Sequence, residues 1–282
     1  NKRKNRQVMD IPTFETKEQL FKHLIENKKE LMSLKKAVTK QADSFFASPT
    51  LFSTHNEKTT KSENQEIENA FKLRLVINTT GILDSHNDVH IKGLWKKTIK
   101  EKKDLYLLQE HKLLFESIIT DKVQASTQDY SWKDLGLNKD GNTEALIFDV
   151  ELDEDRNPFM YKQYQKGYVK QHSVGMRYVD IVLCVNTEEK WAKEEKENWD
   201  KYISEVINKE QAEEQGYFWA VTQAKLIEGS AVVLGSNPIT PTLSNKNDEP
   251  LKDTQQNKDD SRAITINAKE VEDSLKQKLL QK

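Results

Sequence analysis

The chain has 282 residues, a formal net charge of -2, 35% hydrophobic and 32% charged residues. That is long enough for one sizeable core with appendages or for two small domains, and polar enough that part of the length is expected outside any core. There is no basic excess of the kind that marks a dedicated nucleic-acid binder, and the single cysteine, Cys184, excludes a disulfide scaffold.

Residues 14–46 read as helical. Thr16 and Gln19 have capping-box spacing, and Leu20, Leu24, Leu31, Leu34 and Val38 form a broken apolar stripe. The Lys28-Lys29 and Lys35-Lys36 pairs alternate with Glu and read as solvated faces. Residues 47–66 are rich in Ser, Thr, Asn, Glu and Lys and read as a linker, which makes 1–46 a helical N-terminal arm outside the main core.

A strand is expected at "FKLRLVINT" (71–79), followed by the polar stretch "DSHNDVH" (84–90). In an extended segment Asp84, His86, Asp88 and His90 would share a face and offer a metal site, whereas the bland reading is a polar turn. Residues 105–127 suggest two strands with His111 near their junction, and "EALIFDVEL" (144–152) a further strand. Asn157 and Pro158 suit the start of a helix that runs to about residue 168. Ser173 in "VKQHSVGMRY" stands at the change from helical to extended character, and the long apolar run after it buries Cys184 as a structural thiol.

Residues 187–215 form a charged helical block with Trp191, Trp199, Tyr202, Ile203 and Val206 on one face, more in keeping with core contacts than with a base-stacking platform. Strand character returns at 217–235. A second polar linker covers 240–262, and 263–282 is an amphipathic tail with Val271, Leu275 and Leu279 on one side. No run approaches the roughly 18 apolar residues of a membrane span. The basic opening has no apolar stretch behind it, and the expectation is a soluble, intracellular protein. Strands and helices do not alternate regularly, so a mixed or antiparallel, barrel-like β core surrounded by helices is expected over a parallel α/β sheet.

Ser173 needs a base before it can act as a nucleophile. His172 is adjacent, but neighbouring residues on a strand face opposite ways, while His111 is free to approach from elsewhere in the fold. Glu228, a carboxylate in an apolar strand, reads either as an outward-facing residue or as the group that orients a catalytic imidazole. "HSVG" is not the Gly-x-Ser-x-Gly elbow of the α/β hydrolases. On local pattern alone Ser173 reads as structural.

Four segments in order, "ILDSHNDVHIKGLW" (82–95), "YLLQEHK" (106–112), "QHSVGMRY" (171–178) and "KLIEGSAVVLGSNPITP" (225–241), resemble the prohead (capsid maturation) serine proteases of tailed bacteriophages, distant relatives of herpesvirus assemblin. The resemblance covers roughly 70–240. It implies an assemblin-like α+β fold with a protease core at 67–239, Ser173 as nucleophile, His111 as general base and Glu228 as orienting acid. His172 is the other candidate for a supporting residue, because assemblin-type enzymes use a second histidine. It further implies cleavage of the scaffold or delta region of the major capsid protein and of the enzyme's own ends, inside an assembling prohead in the host cytoplasm. The expected partners are the capsid protein or scaffold, the portal and further copies of the chain, with no cofactor, metal, nucleic acid or membrane. A non-catalytic assembly or scaffolding protein of the same fold is the alternative. This chain departs from the family pattern at Lys112, where Asp is common, at His172, where an apolar residue is common, and at Gly229, where Val or Ile is common.

Overall fold

Two long strands, β9 (Gln171–Val185) and β10 (Tyr217–Val232), form the backbone of the molecule. They pair antiparallel from Tyr217↔Val185 to Val232↔Gln171. In the computed structural model, residues 14–41, 50–51, 71–102 and 104–233 are described. The linkers expected at 47–66 and 240–262 and the amphipathic tail at 263–282 lie largely or wholly outside these residues.

The element order begins with α1 (Lys17–Glu26), α2 (Lys28–Ala37), β1 (Lys40–Gln41), β2 (Thr50–Leu51), β3 (Phe71–Thr79), β4 (Asp88–His90) and α3 (Lys96–Glu101). It continues with β5 (Leu107–Gln109), β6 (Ile118–Thr120), β7 (Val123–Ser131), β8 (Asn142–Leu152) and α4 (Pro158–Gln165), then β9, α5 (Lys193–Tyr202), α6 (Lys209–Gln215) and β10. One sheet has six strands in the order β1-β9-β10-β5-β6, with β4 also on β10, and the other has four in the order β2-β3-β8-β7. The fold is therefore mixed α+β, as the sequence suggests. Neither sheet closes on itself, so the barrel-like expectation is corrected to two open sheets packed across a shared core. Val174, Met176, Trp219 and Leu226 of the larger sheet meet Leu75, Ile77, Phe148 and Val150 of the smaller one in that core.

Local signals hold where they rest on short-range chemistry. Thr16 Oγ1 accepts the Gln19 N–H at 3.2 Å, and Asn157 Oδ1 accepts the Met160 N–H at 3.1 Å, capping α1 and α4. The N-terminal helices differ from the reading as an arm outside the core: Phe21, Leu24 and Leu31 are buried in the main cluster. Lys35 differs most. It lies one helical turn beyond Leu31 on the same face and is 3% exposed, with its ammonium on Asp88 of β4. The solvated reading fails because its partner is 53 residues away in sequence.

Register irregularities decide which way each side chain points. Along β9, residues 172, 174, 176 and 178 face the core; after the shift near Asp180 the core face passes to 181, 183 and 185. On the outer face, Cys184, Phe218 and Ala220 are covered by Trp199, Tyr202 and Ala212 of α5 and α6. The other half of that outer face carries Ser173, Gly175, Glu228 and Ser230.

Candidate functional site

Glu228 reaches the outer face because of a bulge. Leu226 pairs with Met176 and faces the core, and strict alternation would send residue 228 inward as well. The register shifts between Leu226 and Glu228, leaving Ile227 as the extra residue, and Glu228 emerges opposite Gly175. Bulges turn side chains in this way. The carbonyls of the bulge are held by Lys102 at the end of α3, whose ammonium contacts Ile227 O and, at 3.1 Å, Leu226 O. Burial, then the neighbouring charge of Lys225, lowers the Lys102 pKa.

His111 is delivered from the opposite side. β5 runs parallel to β10, with Ser230 opposite Leu108 and Ala231 opposite Gln109. The chain then turns through Glu110 (φ 50°) and His111 (φ 56°), closed by Lys112 N–H to Gln109 O at 3.1 Å. Two consecutive positive φ values at the centre of a turn favour Gly or Asn. Glu and His are held there instead by Glu110 N–H to Ala231 O at 2.9 Å and His111 N–H to Ser230 Oγ at 3.0 Å. Backbone strain of this kind concentrates at functional sites.

The turn lays the imidazole against the bulge. His111 Nδ1 lies 2.7 Å from Glu228 Oε1, and Ser230 Oγ donates to Glu228 Oε2 at 2.6 Å. The Glu228 side chain is only 5% exposed and that of His111 9%. Gly175 makes the room: a methyl group at its Cα would overlap Glu228 Oε1 and crowd the carboxyl carbon. With Nδ1 turned to the carboxylate, the arrangement fixes the ring orientation and assigns the Nδ1–H tautomer, leaving Nε2 as the basic nitrogen.

Ser173 is the cross-strand partner of Ser230 and shares its face. Directly opposed residues have Cβ atoms about 4.5–5.5 Å apart, which sets Ser173 beside the His111–Glu228–Ser230 group. Ser173 is the third residue of β9 and not a junction residue as the sequence suggests; the helix before it, α4, ends at Gln165. His172 points the other way, into the core, where its Nε2 lies 2.9 Å from the hydroxyl of Tyr164 on α4. The structure thus brings His111 and Glu228 into contact with each other, sets Ser173 on the same sheet face opposite Ser230, and turns His172 to the other face. Glu228 does face outward from the sheet, but it is buried and in contact with the His111 ring, not a solvated surface residue. Gly175 lies between two strands, opposite Gln41 on one side and Glu228 on the other, and Arg177 lies opposite Lys225.

Sequence reasoning missed Ser230 and the cradle at Gly175. The Glu-Gly-Ser string carries a signal for the first, since residues two apart on a strand share a face. Nothing local reports the second.

The segment 84–90 is a turn followed by a short strand, and its four acidic and histidine residues do not share a face. Asp84 Oδ1 accepts the N–H groups of His86 and Asp88, both at 2.8 Å. Asp88 is engaged by Lys35, by Lys40 at 3.3 Å and by the Tyr178 hydroxyl at 3.0 Å. His90 sits between Asn78 Oδ1 at 3.3 Å and the Tyr178 hydroxyl at 3.4 Å. Among the described residues no group of three or more His, Cys, Asp or Glu is placed to hold a metal ion.

No family model matches the chain, and neither a curated protein nor a solved structure matches it. Among the described residues no helix is long and apolar enough to cross a membrane.

Proposed function

We propose that the protein is a serine endopeptidase in which His111 activates Ser173 and Glu228 orients His111. The observation that carries the reading is the buried Glu228 carboxylate, turned outward by a bulge, given room by Gly175 and set 2.7 Å from His111 Nδ1. A carboxylate on Nδ1 is what a histidine general base requires, because it fixes the ring and stabilises the imidazolium that forms. Ser230 is the other serine on this face, but its proton goes to Glu228 and its oxygen accepts the His111 N–H. That leaves the nucleophile's part to Ser173.

In the proposed reaction Nε2 of His111 takes the Ser173 hydroxyl proton as Oγ bonds to the peptide carbonyl carbon. The tetrahedral intermediate collapses with cleavage of the C–N bond, and His111 returns the proton to the departing amine. Water, deprotonated by the same nitrogen, then releases the acyl group and restores Ser173.

The ordered resemblance to prohead maturation proteases supplies the biological part of the proposal. It supports an assemblin-like core that cleaves the scaffold or delta region of a major capsid protein, and its own ends, within an assembling prohead. Co-expression with the cognate capsid protein tests it. Wild type is expected to process that protein, while Ser173→Ala and His111→Ala are not; processing that persists unchanged in Ser173→Ala would eliminate the serine mechanism. The second reading, an assembly protein without catalysis, is favoured by one feature. Leu113, Leu114 and Phe115, just beyond His111 and Lys112, are exposed, Phe115 to 90%. An apolar run of this kind marks a contact surface, and intact capsid protein in the wild-type co-expression would favour that reading.

A further inference from the structure

Ser230 touches both ends of the His111–Glu228 pair. Its hydroxyl has one proton and its oxygen two lone pairs. The proton goes to Glu228 Oε2 at 2.6 Å, and a lone pair accepts the His111 backbone N–H at 3.0 Å. The other carboxylate oxygen, Oε1, meets His111 Nδ1 at 2.7 Å. A single residue therefore holds the histidine twice, by its backbone and, through the carboxylate, by its ring. Ser230 is itself completely buried and lies within β10, paired with β9 on one side and β5 on the other, so the hydroxyl is presented from the most constrained part of the sheet.

The turn needs such a holder. Glu110 and His111 both have positive φ, a conformation that side-chain-bearing residues adopt at a cost, and one that persists only when the surroundings over-determine it. Without the Ser230 oxygen the His111 N–H loses the acceptor that keeps the turn against β10. Without the Ser230 proton, Oε2 of a buried carboxylate loses its donor, and the carboxylate becomes free to rotate away from the imidazole.

We infer that Ser230 is a positioning residue for the His111–Glu228 pair, locking the His111 turn and the Glu228 carboxylate into one unit. The inference rests on the serine-hydrolase reading and deepens it: Ser230 touches no substrate and acts through the pair.

The test uses the full chain and an alkyl fluorophosphonate probe. In that reaction Ser173 Oγ bonds to phosphorus, fluoride leaves, and His111 accepts the proton. Ser230→Ala is expected to lower the maximal labelling rate by about ten- to a hundredfold, the range seen when a group that orients a metal-ligating histidine is removed. The half-saturating probe concentration should stay unchanged, and Ser230→Thr, which keeps the hydroxyl, should recover most of the rate. In parallel, the downfield proton resonance of His111 Nδ1–H should shift or broaden in Ser230→Ala and return in Ser230→Thr. An unchanged rate with an unchanged resonance overturns the inference. So does a rate loss that tracks a fall in thermal midpoint and is not restored by Thr, or a phosphonyl adduct mapped to Ser230 itself. If the wild-type chain is not labelled at all, the hydrolase reading fails, and the proton resonance alone decides whether Ser230 holds His111.

Discussion

Among the described residues, the buried groups around Asp88 and around Glu228 are built differently. At Asp88 the carboxylate is held by Lys35, Lys40 and the Tyr178 hydroxyl. The cluster joins α2 and β1 to β4 and β9. At Glu228 the carboxylate meets one histidine and one serine, and the histidine sits on a turn of two positive φ values with Nε2 directed away from the carboxylate. Both arrangements bury charge. The first offsets burial by pairing and so fastens elements together, while the second uses the carboxylate to aim another group. Burial of charge is therefore not by itself a sign of chemistry; the sign is a charge spent on orienting a side chain that can still react.

The sharpest way to break this contrast is to remove each carboxylate's central support and compare stability with reactivity. Asp88→Ala leaves the Lys35 ammonium buried without its main partner. It should cost about 3–5 kcal/mol of folding free energy, the range for breaking one side of a buried pair, read from the midpoint of a urea titration. A change below about 1 kcal/mol would show that Lys35 escapes to water and that the cluster does not fasten α2 to the core.

A second comparison uses protons. His90 is walled in, and burial pushes its pKa down from 6.5 to about 4, against the pull of Asp88. Its folded pKa is lower than its unfolded one, so between pH 4 and 6.5 the unfolded chain binds the extra proton. The stability linked to His90 is complete above pH 6.5 and is lost as pH falls towards 4, on the order of 3 kcal/mol across the window. Asp84, raised to about 7 by burial and then by the charge of Asp88, acts in the opposite sense. The difference between wild type and His90→Gln isolates the histidine. The urea midpoint of wild type should fall more steeply than that of the variant as the solution is acidified from pH 6.5 to 4. Parallel curves would sink the assignment.

The smallest expected stability effect is at the site itself. Gly175→Ala pushes a methyl group into the Glu228 carboxyl, and overpacking of this kind costs about 1–3 kcal/mol. Its effect on fluorophosphonate labelling should be far larger in proportion, because the displaced carboxylate no longer meets His111. Labelling at the wild-type rate in a folded Gly175→Ala variant would mean that the Glu228–His111 contact is not what activates the serine.

Much of this was legible in the chain. Alternation marked β3 and β8, Asn157 and Pro158 marked the start of α4, and the i, i+1 opposition of strand side chains separated His172 from Ser173, because these signals depend on neighbours in sequence. The apolar faces of the N-terminal helices were legible too, but not where they docked: a polar linker after them resembles a boundary whether or not the helices return to the core. Lys35 looked solvated for the same reason, its partner Asp88 being distant in sequence.

The chain's local patterns carry most of the elements and the mixed α+β class, together with a buried cysteine; His111, Ser173 and Glu228 are singled out as a set only by the resemblance, not by any local string. Only the tertiary structure decided which of them meet. The bulge at Ile227, the parallel placement of β5 beside β10, the turn through two positive φ values and the missing side chain at Gly175 all depend on pairing between distant segments. One residue of register would have turned Glu228 into the core and away from His111. Register is set by the packed sheets as a whole, which is why no local string could have announced it.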